Sequence, residues 1–287
     1  MRILITGGRG MLGSALYRLA PAHVSPDPVG HYELDVASEA SVRAAITERE
    51  PDAVIHCAAW TAVDACEKDV ERAFRVNADG PKFLARETAK RGIRLVHIST
   101  DFVFDGVKRT PYVESDATDP LSVYGRSKQA GEENVIRSHP GALIVRTSWT
   151  FGREGDGDFV RSILSAVRNG TKLRVVTDQV GSPTYVDDLA EAIYALLPTE
   201  ETGVFHVANT GETDRYHFAR AVLDGSGYPN VPIDAIKAAE LKLPAPRPAY
   251  STLGSERLPI SSLAALRDWR SALHARLTAG PAGGREY

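Results

Sequence analysis

The chain has 287 residues, a formal net charge of −3 and two cysteines. That length suffices for one cofactor-binding domain plus a smaller one, and without a clustered basic run there is no electrostatic reason to expect nucleic acid. No apolar stretch approaches the ~20 residues of a membrane-spanning helix, and the amino terminus lacks the pattern of a signal peptide. Two cysteines do not indicate a disulfide framework, and neither shows metal-ligand spacing, so no metal site is assigned. We therefore expect a cytoplasmic protein that acts without nucleic acid or membrane.

A glycine-rich loop follows the first predicted strand. The apolar run Arg2–Thr6 leads directly into Gly7, Gly10 and Gly13. The first glycine permits a tight turn, the second lets a pyrophosphate approach the backbone, and the third lets the next helix pack close to the sheet. That helix begins around Met11, and its free N–H groups point at the phosphates. The segment therefore predicts a dinucleotide cofactor, NADPH or NADH.

Short apolar runs alternate with longer helical patterns along the first 150 residues. The next predicted strands are Ala53–Ala58, Leu95–Ile98 and Leu143–Arg146, and the predicted helices are Ser41–Glu50, Glu67–Val76, Pro81–Arg91 and Tyr124–Ser138. This alternation predicts an α/β fold, a Rossmann-type doubly wound parallel sheet. Ligands of such sheets bind beyond the carboxyl ends of the strands. Ala58-Ala59-Trp60 follows the expected fourth strand and Ser99-Thr100-Asp101 the fifth, so both segments are expected at that edge.

The second predicted strand is irregular. His23–Asp27 is short, and Pro26 and Pro28 argue against a central position in a sheet because proline cannot donate a ladder hydrogen bond. Asp27 or Asp35 can bind the adenosine end of the cofactor, yet each is equally an ordinary turn or cap acid. The choice between NAD and NADP therefore stays open.

Tyr124 and Lys128 form the pair with the clearest chemistry. Four residues apart on a predicted helix, they share one face. A phenol titrates near ~10 in water, so it carries protons poorly at neutral pH unless a fixed cation favours its ionised form, and Lys128 supplies that cation. A hydroxyl from a separate segment, Thr100 or Ser99, then holds a substrate carbonyl beside the phenol. Such pairs also arise by chance in amphipathic helices, so the prediction depends on the surrounding motifs.

The sequence pattern changes near residue 150. We predict a dinucleotide-binding domain over residues 1–150 and a smaller, mainly substrate-binding domain over residues 151–287, from which some later segments return to the first. The expected later elements are the helix Phe159–Arg168, the strand Leu173–Val176, the helix Val186–Leu197, a proline-rich connection or lid over Lys242–Pro248, helical patterning again from Ser261 and a frayed tail over Gly280–Tyr287.

Several motifs together resemble one family. They are Gly7-Gly-Arg-Gly-Met-Leu-Gly13, Ala59-Trp-Thr-Ala-Val-Asp64, Val76-Asn77, Ser99-Thr-Asp-Phe-Val-Phe104, Pro120-Leu-Ser-Val-Tyr-Gly-Arg-Ser-Lys128, Arg146-Thr-Ser-Trp149, Asp178-Gln-Val-Gly-Ser-Pro-Thr184 and Arg247-Pro248. With them the chain resembles, over nearly its whole length, the dTDP-4-dehydrorhamnose reductase family of the extended short-chain dehydrogenase/reductase superfamily.

The resemblance implies roles for individual residues. Tyr124 matches the proton donor, Lys128 its activator and a ribose ligand, and Thr100 the hydroxyl that orients the sugar carbonyl. Asp101 and Trp149 match positions that contact the sugar substrate. The expected cofactor contacts are Gly7, Gly10, Met11, Leu12, Gly13, Asp35, Val36, Ala58, Ala59, Trp60, Ile98, Tyr124 and Lys128.

The implied reaction is NAD(P)H-dependent reduction of the 4-keto group of a nucleotide-activated 6-deoxy sugar. The partners are then a nucleotide-sugar substrate and, by resemblance alone, a second copy in a homodimer. A sugar-nucleotide epimerase stays open because it shares the tyrosine, the lysine and the hydroxyl. A 4,6-dehydratase uses an Asp-Glu pair after the threonine, whereas Asp101 is followed here by Phe102. The family's fold also serves as a non-catalytic regulatory subunit of methionine adenosyltransferase, which would make the chain a binding partner.

Two positions qualify the resemblance. Asn77 matches an asparagine that supports the lysine through water or backbone contacts, although an asparagine in a helix also serves as a kink or a cap. Asp158 stands before Phe159, where family members often carry asparagine. A carboxylate that faces a diphosphate is unfavourable, so either the activating group differs from dTDP or Asp158 points to solvent.

Overall fold

The computed structural model of the chain describes residues 1–153, 157–258 and 265–279. The expected restart of helical patterning at Ser261 and the expected tail over Gly280–Tyr287 lie outside these residues. Within them, no helix is both long and apolar enough to cross a bilayer.

The strands and helices alternate through most of the chain. The strands are β1 (Arg2–Thr6), β2 (Ser25–Val29), β3 (Ala53–His56), β4 (Arg94–Thr100), β5 (Leu143–Thr147), β6 (Thr150–Phe151), β7 (Leu173–Val176), β8 (Val180–Gly181), β9 (Thr184–Tyr185), β10 (Gly203–His206), β11 (Thr213–Asp214) and β12 (Ile233–Ile236). The helices are α1 (Met11–Arg18), α2 (Glu39–Arg49), α3 (Val63–Cys66), α4 (Val70–Phe74), α5 (Gly80–Lys90), α6 (Val123–Ser138), α7 (Phe159–Arg168), α8 (Val186–Leu196), α9 (Arg215–Gly225) and α10 (Trp269–Thr278). Short 3₁₀ turns cover Asp101–Val103 and Ala238–Leu241.

Six parallel strands form the central sheet in the order β10-β5-β4-β3-β1-β2. Helices α1 and α8 pack on one face, and α2, α5 and α6 pack on the other. The middle strands read as continuous apolar runs because both of their faces are buried. The doubly wound Rossmann-type sheet expected from the sequence is therefore confirmed. Its strand order reverses between β1 and β3, which is where such sheets bind ligands.

Strand β2 lies at the edge of the sheet and pairs only with β1 in the described structure. Pro26 and Pro28 are tolerated there because one side of an edge strand needs no ladder donors. The predicted number of strands before Ala58 and before Ser99 was too high by one. The residues that follow β2 lead through turns into α2 without another strand, so Ala58 follows the third strand. Ser99 and Thr100 are the last residues of the fourth strand itself.

The helix expected over Glu67–Val76 is interrupted. Helix α4 begins after the cap Asp69, whose side chain accepts a hydrogen bond from the Arg72 amide, and continues as a π-helical turn over Arg75–Asp79 that runs into α5. A π turn adds a residue to the helix and changes which side chains face inward. It places Asn77 in the interior, where the residue is 1% exposed.

Elements from the second half of the chain contribute to two separate hydrophobic cores. Strand β10 and helix α8 join the central sheet and its α1 face. Helices α7, α9 and α10 pack around a separate core with the two-stranded sheet of β7 and β12. The cleft described below lies where these two bodies meet.

Two glycines let α6 approach its neighbours closely. A Cβ atom at Gly125 would lie 2.2 Å from the Phe102 carbonyl oxygen, and one at Gly131 would lie 2.2 Å from the Asn77 carbonyl oxygen. Real Cβ atoms do not approach backbone oxygens this closely, so any larger residue forces the helix outward. The depth at which α6 lies, and with it the position of its inward side chains, depends on these contacts.

Replacing Gly131 with alanine should therefore destabilise the fold. We expect G131A to lower the free energy of unfolding by about 1–3 kcal/mol, as overpacking of a rigid contact does, although alanine is the better helix former. Denaturant unfolding measures the difference. The control is G141A, where the nearest atoms to a new Cβ belong to the end of the His139 ring at 3.4 Å. Equal effects of the two substitutions would contradict the close contact.

Candidate active site

A cleft of about 1380 Å³ opens at the carboxyl edge of the central sheet. It is bounded by the glycine loop, the ends of β3 and β4, the start of α6 and the segment after β5. Its lining includes Gly7, Gly10, Met11, Leu12, Gly13, Asp35, Ala58, Ala59, Trp60, Ile98, Thr100, Asp101, Tyr124, Lys128 and Trp149. These sequence-predicted site residues, which come from distant parts of the chain, therefore share one cleft.

The glycine loop leaves no side chain between the backbone and the cleft. Gly7 adopts φ 66°, and a Cβ there would lie 2.8 Å from the Ala58 amide nitrogen. A Cβ at Gly13 would lie 2.4 Å from the Gly7 carbonyl oxygen. Gly10 caps α1 without a side-chain hydrogen bond, so the first amides of this helix are available to an anion. The loop fits the diphosphate of a dinucleotide.

Tyr124 is held in the first turn of α6. The Ser122 side chain caps this helix by accepting from the Gly125 amide at 3.1 Å, and the Tyr124 ring packs edge-on against Phe102. Burial raises the pKa of Tyr124 above its ordinary value, and a hydrogen bond with the Thr100 hydroxyl opposes that shift. The phenol therefore keeps its proton at neutral pH, as a proton donor must.

Lys128 lies one turn further along the same face and is 2% exposed. Its ammonium donates a 2.7 Å hydrogen bond to the Ile98 carbonyl oxygen. Burial lowers the pKa of Lys128 to about 8, and the carboxylate of Glu132 opposes that shift. Lys128 is not among the groups that shift the pKa of Tyr124 in the structure; burial acts on the phenol more strongly than any neighbouring charge.

Asp101 is buried, and its carboxylate accepts hydrogen bonds from two hydroxyls. The Thr100 hydroxyl donates to one of its oxygens at 3.0 Å and the Ser251 hydroxyl to the other at 2.5 Å. Burial raises the pKa of Asp101 to about 6, and these two bonds oppose the shift. Asp101 thus fixes the hydroxyl of Thr100 beside the phenol.

Trp149 forms the opposite wall with an unpaired arginine. The Trp149 backbone has φ 44°, an uncommon conformation for a bulky residue. Its indole packs on Gly181, where a Cβ would lie 2.5 Å from the ring. The Arg215 guanidinium stacks over this indole at 3.5 Å from the ring centroid. Among the described residues Arg215 has no hydrogen-bond or ion-pair partner, so its donors are available to a ligand.

A second cavity of about 450 Å³ adjoins the cleft. The two share Phe102, Trp149, Phe159, Arg215 and Arg247 in their linings. The second cavity extends along β7, and its lining includes the exposed apolar side chains of Leu241 and Leu243. A long ligand can therefore reach from Tyr124 past the arginines into a partly apolar pocket.

Three of the remaining candidate residues, Asp27, Val36 and Asn77, make structural contacts. Asp27 accepts from Arg49 at 2.9 Å and does not line the cleft, whereas Asp35 does. Val36 was expected to contact the cofactor, but its side chain is buried in the core on the α2 face and stays outside the cleft lining. Asn77 accepts from the Trp60 amide at 2.8 Å and donates to the Trp60 carbonyl and the Ser127 hydroxyl. It anchors the Trp60 segment without a direct bond to the lysine.

Asp158 does not point to solvent, contrary to one sequence-based alternative. It is 1% exposed and caps α7 by accepting from the Val160 amide at 3.0 Å. Arg276 of α10 lies 3.8 Å from its second oxygen and donates to the Gly152 carbonyl. The carboxylate is absent from the linings of both cavities.

Arg215 was missed by sequence reasoning. It is the first residue of α9, after the cap Asp214, and nothing in that pattern separates it from a surface arginine. Its proximity to Trp149 exists only in the folded chain. Within the described ranges, no group of three or more histidine, cysteine or acidic side chains is arranged to hold a metal ion.

Comparison with known proteins identifies relatives over almost the full length. The family described as RmlD substrate binding domain matches residues 1–280. A probable dTDP-4,6-dihydroxy-2-methyloxan-3-one 4-ketoreductase of Streptomyces antibioticus is 43% identical over 278 residues, covering 95% of this chain and 93% of the relative. A dTDP-4-dehydrorhamnose reductase of Mycobacterium tuberculosis (strain H37Rv) is 41% identical over 285 residues, covering 97% and 93%.

Solved structures give the same result. The dTDP-4-dehydrorhamnose reductase of Bacillus anthracis, determined in complex with NADP, superposes with a TM-score of 0.93 at 35% identity, covering 96% of this chain and 98% of that one. A UDP-glucose 4-epimerase of Thermotoga maritima has a TM-score of 0.83 at 19% identity, covering 96% and 97%; this likeness concerns the fold alone. The chain therefore belongs to the dTDP-4-dehydrorhamnose reductase family.

Proposed function

We propose that the protein reduces the 4-keto group of a dTDP-activated 6-deoxy sugar with NADPH or NADH. The observation that carries the proposal is the convergence, in one cleft, of the glycine loop, the buried pair Tyr124 and Lys128, and Arg215. The relatives' names supply the substrate class, and the NADP in the Bacillus anthracis structure supplies the cofactor class. The two free cysteines suit a reducing cytoplasm.

The chain offers a complete set of cofactor contacts. The loop from Gly7 to Gly13 and the amides at the start of α1 receive the diphosphate. Lys128 donates to the nicotinamide ribose, and the segment Ala58–Trp60 with Ile98 borders the same space. When bound, the reduced nicotinamide supplies the hydride. The remaining chemistry belongs to the side chains of the protein.

Tyr124 completes the reduction by proton transfer. The carbonyl carbon gains a hydride and the carbonyl oxygen gains the phenolic proton, so the ketone becomes an alcohol and Tyr124 becomes a phenolate. The raised pKa of Tyr124 favours the protonated phenol before reaction. The Lys128 ammonium, one turn away on α6, favours the phenolate after proton transfer, while the Thr100 hydroxyl donates its hydrogen bond to Asp101.

The rest of the substrate extends from the cleft into the adjoining cavity. The free guanidinium of Arg215 pairs with the diphosphate, since arginine suits phosphate oxygens. Arg247 lies beside it, with its charge shared with Asp64 through bonds of 3.1 and 2.7 Å. The adjoining cavity along β7 receives the nucleoside.

Removing the phenolic hydroxyl tests the proton donor. We expect Tyr124→Phe to lower kcat by about 10²-fold to 10⁴-fold, while the Kd for NADPH, measured by its fluorescence, changes little. The control is Tyr194→Phe, the same chemical change at a phenol that donates to the Leu16 carbonyl outside the cleft. Near-normal reduction of the keto sugar by Tyr124→Phe would refute the assignment.

Removing the charge of Arg215 tests the substrate path. Arg215→Met should raise KM for the dTDP-keto sugar about 10-fold to 100-fold, because hydrogen bonds to a charged group contribute about 1.5–3 kcal/mol. NADPH affinity should stay the same. Arg220→Met is the matched control, since Arg220 lies on the same helix and donates to the carbonyls of Val231 and Tyr228. If both variants keep the parental KM, the diphosphate binds elsewhere.

A further inference from the structure

A buried polar row crosses the sheet beneath α6. His56 on β3 is opposite His97 on β4, and their rings stack with centroids 5.1 Å apart. Arg146 on β5 is opposite His206 on β10, and its guanidinium lies 3.4 Å from that imidazole. All four residues are at most 5% exposed. Helix α6 covers the row with two ionisable side chains, Lys128 and Glu132, and Glu114 accepts from the His206 amide at 2.9 Å at the far end of the row.

Glu132 is paired with Arg146 in a two-point contact. The guanidinium donates through Nε at 2.9 Å and through Nη2 at 2.6 Å, and the two side chains are 4% and 6% exposed. Replacing a buried ion pair by apolar side chains is often neutral or stabilising. Stability alone is thus a weak reason for two charges at this position.

Glu132 lies one helical turn beyond Lys128 on the same face of α6. The groups that face Lys128 from the sheet carry no negative charge at neutral pH. Burial lowers the pKa of His56 to about 3 and that of His97 well below its ordinary value, and it raises the pKa of the Cys57 thiol to about 12. Both imidazoles and the thiol are therefore neutral. Among the charges that act on Lys128, the Glu132 carboxylate has the largest effect.

We propose that the buried Glu132–Arg146 pair sets the charge of the active-site lysine, with the Glu132 carboxylate holding Lys128 in its ammonium form and Arg146 limiting that effect. Glu132 is then a positioning residue, because it acts on the reaction through Lys128. This inference rests on the proposed function, in which the ammonium of Lys128 assists Tyr124 and binds the cofactor ribose.

The proposed charge effect predicts a result that a purely structural link between α6 and β5 does not. Glu132→Gln removes the carboxylate and leaves the guanidinium unpaired, so the pKa of Lys128 should fall by about one unit. Arg146→Met leaves the carboxylate unpaired, so the pKa of Lys128 should rise. The alkaline limb of kcat/KM should move to lower pH in the first variant and to higher pH in the second. If the ion pair only links α6 to β5, both variants lose stability and the two pH profiles do not move in opposite directions.

The pKa of Lys128 can be measured directly. Protein labelled with ¹³Cε-lysine is titrated by NMR in complex with NADP⁺, and the Lys128→Met variant identifies the resonance. Glu132→Asp and Arg146→Lys keep both charges while disturbing the packing, and they serve as controls with smaller shifts. Opposite shifts in the two neutral variants support the inference. Shifts of the same sign, or no shift, overturn it.

A double variant covers the case in which a single variant does not fold. Glu132→Met with Arg146→Met removes both members of the ion pair, so neither is left buried without the other, and the variant is expected to fold. Since the carboxylate is the largest charge effect on Lys128, the lysine pKa should still fall, and an unchanged value overturns the inference. The NMR titration does not depend on catalysis. Opposite shifts in lysine pKa beside an unaltered pH profile of kcat/KM would support the charge coupling and refute the catalytic role of Lys128.

Discussion

The burial of one cation, the ammonium of Lys128, is the constraint on which the rest of the site depends. Removing an ammonium from water costs several kcal/mol unless hydrogen bonds and opposite charge offset it. Lys128 is 2% exposed. The Ile98 carbonyl accepts its hydrogen bond, and the Glu132 carboxylate supplies the opposite charge. The same burial keeps the neighbouring phenol of Tyr124 protonated. Burial thus favours the neutral form of both groups, and the carbonyl and the carboxylate offset it at Lys128. A charged lysine and a neutral tyrosine can therefore coexist one turn apart.

Helix α6 reaches that depth because glycine removes the side chains that would hold it away. Gly125 and Gly131 meet backbone carbonyls of the Phe102 turn and of the π turn at Asn77. Those two segments are themselves parts of the site, since the first follows Thr100 and the second anchors Trp60. Packing and chemistry are thus coupled: the contact that fixes the helix also fixes the segments that border its reactive side chains.

Short sequence patterns predicted those parts of the site in which the type and spacing of a few residues determine the local structure. Glycines 7, 10 and 13 after an apolar strand predicted the loop, and the spacing of Tyr124 and Lys128 predicted a shared face. The π turn at Arg75–Asp79 was not predictable, because its sequence is that of an ordinary helix and the fold alone brings Trp60 and Ser127 to Asn77. Arg215 was also out of reach, since the Trp149 indole that it covers is brought to it by the fold.

Asp158 had been the strongest reason to doubt a dTDP-linked substrate, and its position removes that reason. Aspartate and asparagine both cap helices well, so the substitution preserves the start of α7. The added charge faces Arg276, which also holds the Gly152 carbonyl, and burial raises the pKa of Asp158 against that cation's opposing effect. The carboxylate thus belongs to a structural contact between α7 and α10. In the proposed binding mode the diphosphate lies against the guanidinium of Arg215, which lines the cleft and favours rather than opposes an anion.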